Sequence, residues 1–387
     1  MTISIDRDFL TTTLQKLVQI DSSNPSLSPS GAGEFEIANY AASVMEALGL
    51  ETSVDMVDEG RANAVGILRG SGGGKALMLN AHLDTVGVEG MAAPFSAEIR
   101  DGRLYGRGSQ DMKCSIAASI AAVKALLDAD ITLAGDLILT FVADEEYASI
   151  GMQDIVKRYQ AHGCIVTEPT GHAICTAHRG FLWYKVSAEG RAAHGSRYDD
   201  GIDAIMHMGH FLAGLDQLEQ ELRQRPTASL AGVPSIHASM ISGGTEISVY
   251  PAACELHVER RTNPTETAAQ CLAELQAIAD RIMAADPKVK LTVEEYLERK
   301  PFEVASNAPI VTTLEAAIEA RLGSVMPHEG ASYWTDAAFS ADAGIETVIF
   351  GPVGAGLHSA EEWVDLQSCV DVAHILAETA IAYCGVA

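Results

Sequence analysis

The amino-acid sequence predicts an α/β protein of two domains: a larger one with a central, mostly parallel sheet and helices on both faces, and a smaller α+β layer inserted into it. Three observations carry the prediction. Apolar runs of strand composition at Ala76 to Asn80, Asp136 to Ala143 and Gly163 to Thr167 alternate with segments of helical period. Each run leads within a few residues to a side chain able to bind a cation, namely His82, Glu146 and Glu168. Between about residues 180 and 295 the order changes to β-α-β-β-α-β, that of a ferredoxin-like layer with two helices on one side of four strands. The larger domain is therefore expected from residues 1–179 and 296–387, and the smaller from 180–295.

In chain order, Phe9 to Ile20 and Phe35 to Leu48 carry apolar residues at helical intervals, separated by the Ser/Pro/Gly-rich stretch from Ser22 to Gly33. Asn63 to Leu68 reads as a strand, Ser71 to Gly74 as a turn, and Ile99 to Tyr105 as a short hairpin around Asp101-Gly102. Gly106 to Lys113 is a glycine-rich turn without the spacing of a nucleotide loop, and it leads into an alanine-rich helix from about Cys114 to Leu127. Gly151 to Tyr159 continues as helix. In the insert, strands are expected at Phe181 to Ala188, Ser235 to Ile241, Ala253 to Arg261 and Val289 to Tyr296, with helices at Gly201 to Leu222 and Thr265 to Met283. Ile310 to Leu322, the strand Glu346 to Phe350 and the helix Leu366 to Tyr383 close the larger domain.

Composition narrows the function. The 387 residues exceed one compact domain, and a net charge of -26, from 26 basic against 52 acidic residues, repels nucleic acid and anionic membrane. No apolar stretch is long enough to cross a bilayer, and the N-terminus lacks a basic, cleavable leader. Seven cysteines without a Cys-x-x-Cys pair do not make a disulfide framework. A soluble cytoplasmic chain is expected.

The chemistry-bearing residues gain meaning from their order. His82 and Asp84 leave one face of an extended chain, so that a carboxylate, plausibly Asp84, accepts a hydrogen bond from the ring nitrogen that does not face a metal. Asp111 taken singly reads as a first-turn helix cap, and Asp144-Glu145-Glu146 as a solvated acidic loop. Yet adjacent carboxylates directly after an apolar strand are unfavourable without a cation or proton between them.

Together, Asn80-Ala81-His82-Leu83-Asp84-Thr85, Gly106-Arg107-Gly108-Ser109-Gln110-Asp111-Met112-Lys113, Glu145-Glu146, Glu168-Pro169 and the late His358 make the chain similar, over nearly its whole length, to the two-zinc amidohydrolase family. That family includes acetylornithine deacetylase, succinyl-diaminopimelate desuccinylase, aminoacylase and glutamate carboxypeptidase. The resemblance implies that His82 and Glu168 bind one metal, that Glu146 and His358 bind the other, and that Asp111 bridges them, with cobalt or manganese able to replace zinc. It implies Glu145 as the base that takes a proton from water and returns it to the leaving amine, its side chain directed away from Glu146 by strand alternation. Asp84 then orients His82. By the same resemblance His194 stabilises oxygen charge from a lid domain, in many relatives that of an opposing subunit, which makes a homodimer through the lid the expected assembly. Arg261 would receive a substrate carboxylate, with Arg260 facing the sheet edge or solvent. Thr335-Asp336-Ala337 resembles a wall of the cleft.

The implied reaction is hydrolysis of the linear amide of a small N-acyl amino acid. A dipeptidase or carboxypeptidase on the same metals is the alternative. A noncatalytic binder of this fold would be expected to have lost a ligand or Glu145, and neither is missing. Departures from the family pattern are Cys114 in place of glycine, Ser248 and Ala252 around Val249-Tyr250-Pro251, and Glu346 in place of proline.

Overall fold

The computed structural model describes residues 3–387, which divide into two compact units. The first comprises the chain up to Thr176, Val304–Glu329 and Thr335–Ala387; the second comprises Ala177–Glu303 and Gly330–Trp334.

The sheet of the first unit is mixed. Its strands lie in the order Glu51–Asp58, Arg61–Leu68, Leu137–Val142, Leu77–His82, Gly163–Val166, Glu346–Ile349 and Ile174–His178, along the last of which the chain passes into the second unit. The three central pairings are parallel and the flanking ones antiparallel. In Leu77–His82, Leu137–Val142 and Gly163–Val166 every residue is buried, because helices cover both faces and leave no solvent side to alternate towards. One helical layer comprises Arg7–Gln19, Phe35–Ala47, Cys114–Asp128, Pro309–Leu322 and Leu366–Cys384, and the other Ile150–Arg158 and Ala337–Asp342. The alanines of Cys114–Asp128 allow nearly all of that helix to be buried between the sheet and Leu366–Cys384.

Two features depart from expectation. Glu51–Asp58 forms an edge strand that its polar sequence did not announce, joined antiparallel to Arg61–Leu68 across Gly60, whose φ of 70° suits a glycine. Asp111 is no first-turn cap. With φ and ψ of −116° and 92° it lies in an irregular turn before the helix that begins at Cys114.

In the second unit, Gly180–Glu189, Ala204–Arg223, Ser235–Gly243, Ala253–Thr262, Ala268–Ala285 and Lys290–Arg299 follow one another as β-α-β-β-α-β. The sheet is antiparallel, in the order Ser235–Gly243, Ala253–Thr262, Gly180–Glu189, Lys290–Arg299. Tyr184, Val186, Leu256 and Val258 on its covered face pack with Phe211, Leu215 and Leu275 of the helices in a core of their own. Asp203 caps the first helix, and Thr267 with Gln270 forms a capping box on the second. Arg260 faces this interior instead of the edge or solvent: it is only 1 % exposed and pairs with Glu266 and, at 3.1 Å, with Glu274. Strand alternation turns Arg261 to the open face.

Removing one partner of a buried ion pair costs about 3–5 kcal/mol, whereas an exposed pair contributes about 0–1 kcal/mol. Arg260→Ala is therefore expected to lower the melting temperature strongly and Arg261→Ala hardly at all. Thermal unfolding of the two variants side by side checks this, and equal shifts would refute the difference in burial.

Candidate metal centre

The candidate donor residues collect where the parallel strands end, the place at which open α/β sheets bind ligands. His82 is the last residue of its strand, Glu145 and Glu146 follow Leu137–Val142, and Glu168 follows Gly163–Val166. His358 arrives on the loop after Glu346–Ile349, at a φ of 57°. All belong to the first unit.

Asp111 lies between the two imidazoles. Its Oδ1 is 3.0 Å from Nε2 of His82, and its Oδ2 is 3.4 Å from Nε2 of His358. His358 Nε2 is also 3.2 Å from Oε1 of Glu146, and His82 Nε2 is 4.0 Å from Oε1 of Glu168. Ligand atoms of His82, Glu145 and Glu168 lie within 4.8 Å of one another, and so do those of His82, Asp111 and Glu146. These two clustered His/Asp/Glu groups point to a binuclear divalent-metal centre. Glu145 and Glu146 thus enter different groups, although the reason is not strand alternation: the strand ends at Val142, and Asp144, at φ 71°, turns the chain before them.

The charges fit cations. Burial and the neighbouring Glu168 push the Glu145 carboxyl well up, and burial raises Glu168 to about 8 despite the nearby His82. Burial alone would lower His82, but its hydrogen bond to Asp111 and the charge of Glu168 raise it well above its ordinary value. Hydrogen bonds to Asp111 and Glu146 raise His358 to about 10. Asp111 is held low, because its bonds to His358 and His82 outweigh burial. Carboxylates outnumber imidazoles in the cluster, and divalent ions bound by carboxylate and imidazole offset such a surplus of negative charge.

Asp84 supports the centre differently from expectation. The Nδ1 of His82 lies 2.8 Å from the backbone oxygen of Asp84 and 3.6 Å from its carboxylate. That carboxylate instead accepts the backbone N–H groups of Glu145 and Glu146 at 3.0 and 3.1 Å, and the amide of Asn24 at 2.8 Å. Asn24 also donates to Asp144, which Arg61 ties to Glu34. Burial raises the Glu34 carboxyl to about 7 and the Asp336 carboxyl to about 7. Sequence reasoning missed Asn24, Glu34, Arg61 and Asp144. Only Asp144, beside the glutamate pair, carried a local signal.

Two expected residues belong to the second unit. His194 is exposed in a turn, where the backbone N–H of Ser196 donates to its Nδ1 over 3.2 Å. Its Nδ1 also lies 2.8 Å from Oγ of Ser196. Arg261 is about one third exposed, lies 3.2 Å from Glu259, and places its guanidinium 5.1 Å from the centroid of the Phe181 ring.

Comparisons with known proteins agree with this architecture. Acetylornithine deacetylase from Myxococcus xanthus is 28% identical over 390 residues, covering 97% of this chain and 98% of its own. Succinyl-diaminopimelate desuccinylase from Ruegeria pomeroyi is 31% identical over 320 residues, 76% of this chain and 80% of its own. The crystal structure of aminopeptidase PepT from Bacillus cereus has the same fold, with a TM-score of 0.80 at 18% identity over 98% of this chain and 99% of that one. The model of peptidase family M20/M25/M40 matches residues 78–382, a span that contains His82, Asp111, Glu145, Glu146, Glu168 and His358, and the chain belongs to that family.

Proposed function

We propose that this metal-dependent hydrolase cleaves the linear amide of a small N-acyl amino acid to a carboxylate and a free amine. The observation that carries the reading is Asp111, whose two oxygens face two different imidazoles at 3.0 and 3.4 Å. In the proposed allocation His82 and Glu168 hold one ion, Glu146 and His358 the other, and Asp111 both. Zinc suits this donor set, and cobalt or manganese can take its place. Such a pair of ions, when bound, polarises the amide carbonyl and makes a nearby water more acidic.

The chain's own groups do the rest. Glu145 takes the proton of the attacking water and returns it to the leaving nitrogen; the proximity of its carboxylate to His82 and Glu168 supports that role. Asp84 fixes Glu145 and Glu146 through their backbone and His82 through its ring. The imidazole of His194 can offer an N–H to an oxygen that gains charge during the reaction. Arg261 offers a planar pair of donors to the substrate carboxylate. The related deacetylase and desuccinylase favour an N-acyl amino acid such as acetylornithine or succinyl-diaminopimelate. Dipeptides are the alternative, since Arg261 would serve their terminal carboxylate equally well. The cytoplasm is the proposed location, in keeping with seven buried cysteines, none in a disulfide.

A homodimer through the second unit, here the proposed lid, is part of the reading. Ser235–Gly243 is an edge strand that pairs on one side alone among the described residues, and Met240 and Ile241 are more than half exposed on it. Such an edge readily pairs with another strand.

Amine release is expected from one class in a panel of N-acetylornithine, succinyl-diaminopimelate, other N-acyl amino acids and dipeptides. A chelator should abolish it, and zinc or cobalt restore it. Glu145→Ala should lose about 10²–10⁴-fold in turnover while keeping its metal; retained turnover in a pure preparation would remove Glu145 as the base. For His194→Ala the expectation is a fall in kcat of about 10²–10³-fold with metal content unchanged. Sedimentation should give a dimer for the wild type and a monomer for the double variant Met240→Lys, Ile241→Lys, whereas a monomeric wild type would refute the assembly.

A further inference from the structure

Glu362 lies four residues beyond His358, and its carboxylate is fully buried. One oxygen accepts the backbone N–H groups of Gln110 and Asp111 at 2.9 and 3.1 Å. The other accepts the N–H of Gly108 at 3.0 Å and a guanidinium hydrogen of Arg107 at 2.6 Å. Arg107 reaches on from there. Its Nε donates to the carbonyl of Gly87, three residues after Asp84, and its Nη2 to the carbonyl of Ser359, next to His358, both at 3.0 Å. The backbone of Glu362 also accepts the N–H of Gly106 at 3.1 Å.

One ion pair therefore fastens the segment after His82, the turn that carries Asp111 and the loop that carries His358. Other bonds brace the ends of this turn, Arg107 N–H to the Pro94 carbonyl and Lys113 Nζ to the Ile20 carbonyl, both at 2.8 Å, but the N–H groups of Gly108, Gln110 and Asp111 go to Glu362; Gly106 and Gly108, with φ values of 148° and 76°, curl them towards that carboxylate. A buried carboxylate receiving four charge-assisted hydrogen bonds is a rigid anchor.

We propose that Glu362 is a positioning residue of the metal centre: through the backbone of Asp111 and through Arg107 it sets where the two oxygens of Asp111 stand between His82 and His358. The proposal rests on the binuclear reading given above. Glu362 touches neither substrate nor reacting atoms. It acts on metal affinity. A purely structural cap would lower stability alike with and without metal but leave the folded protein's affinity as it was.

The test uses the full chain as wild type, Glu362→Gln and Glu362→Asp, each treated with a chelator and titrated with Co²⁺. Calorimetry gives the affinity, the visible absorption of bound Co²⁺ reports its coordination, and circular dichroism with thermal melting reports folding. Wild type is expected to take up two Co²⁺. Glu362→Gln presents a donor amide to one pair of N–H groups, and its folded form should bind roughly 10–100-fold more weakly with an altered spectrum, as loss of a ligand's supporting hydrogen bond does elsewhere. Glu362→Asp keeps the charge one methylene short and should fall between the two. A folded Glu362→Gln that binds both ions within about threefold of wild type, with the wild-type spectrum, overturns the proposal. If Glu362→Gln does not fold, Glu362→Asp decides by the same measure: weaker binding supports the proposal and wild-type binding overturns it. A wild type that takes up no Co²⁺ overturns the binuclear reading, and this proposal with it.

Discussion

Asp84, Asp111, Glu145, Glu146, Glu168 and Asp336 crowd about His82 and His358 with too little positive charge of their own to balance them. Carboxylates taken out of water repel one another and lose solvation worth several kcal/mol each, so a surplus of this size persists only where protons or cations neutralise it. Much of the first unit's polar structure can be understood as containing that surplus. Arg61 lies between Glu34 and Asp144, Asn24 separates Asp144 from Asp84, and Arg107 neutralises Glu362. The apolar strands and the alanine-rich helix beneath supply the rigid floor on which such charges can be held close.

The same device is used twice. Asp84 accepts the consecutive N–H groups of Glu145 and Glu146, and Glu362 those of Gln110 and Asp111. In both cases a buried anion holds the backbone of a proposed metal donor, leaving its side chain free to face the cluster. Two backbone donors fix a peptide's position and its direction at once, which a single side-chain contact cannot do.

What the sequence makes legible follows from where the information lies. Three of the five proposed metal donors, His82, Glu146 and Glu168, stand at or near the ends of predicted strands, and the alternation of patterns reveals both the interrupted sheet and the β-α-β-β-α-β insert. Glu51–Asp58 was not legible because an edge strand with few apolar residues draws its order from the strand beside it. Arg61, Asn24 and Glu362 were not legible because their partners lie up to about 250 residues away, so no local period marks them. The neighbours Arg260 and Arg261 look alike in sequence, and only the register of Ala253–Thr262 against Gly180–Glu189 separates the interior one from the open one. For Asp84 the residue type was right, but its reach was misjudged: the main chain served His82 and the side chain served the next strand's end.

His82, Asp111, Glu146 and Glu168 all precede residue 177, while His358 and its neighbour Glu362 follow the whole inserted unit. On a ribosome the acidic cluster is thus made long before the segment that completes it. Domains generally fold as units in order of synthesis, yet the first unit must wait for a segment made after the second. Until His358 arrives, the early segment carries its carboxylates without the imidazole and the ion pair that gather them. The proposed centre therefore draws on residues from both sides of the insert, and its donor set is complete only after the segment that follows the insert has been made.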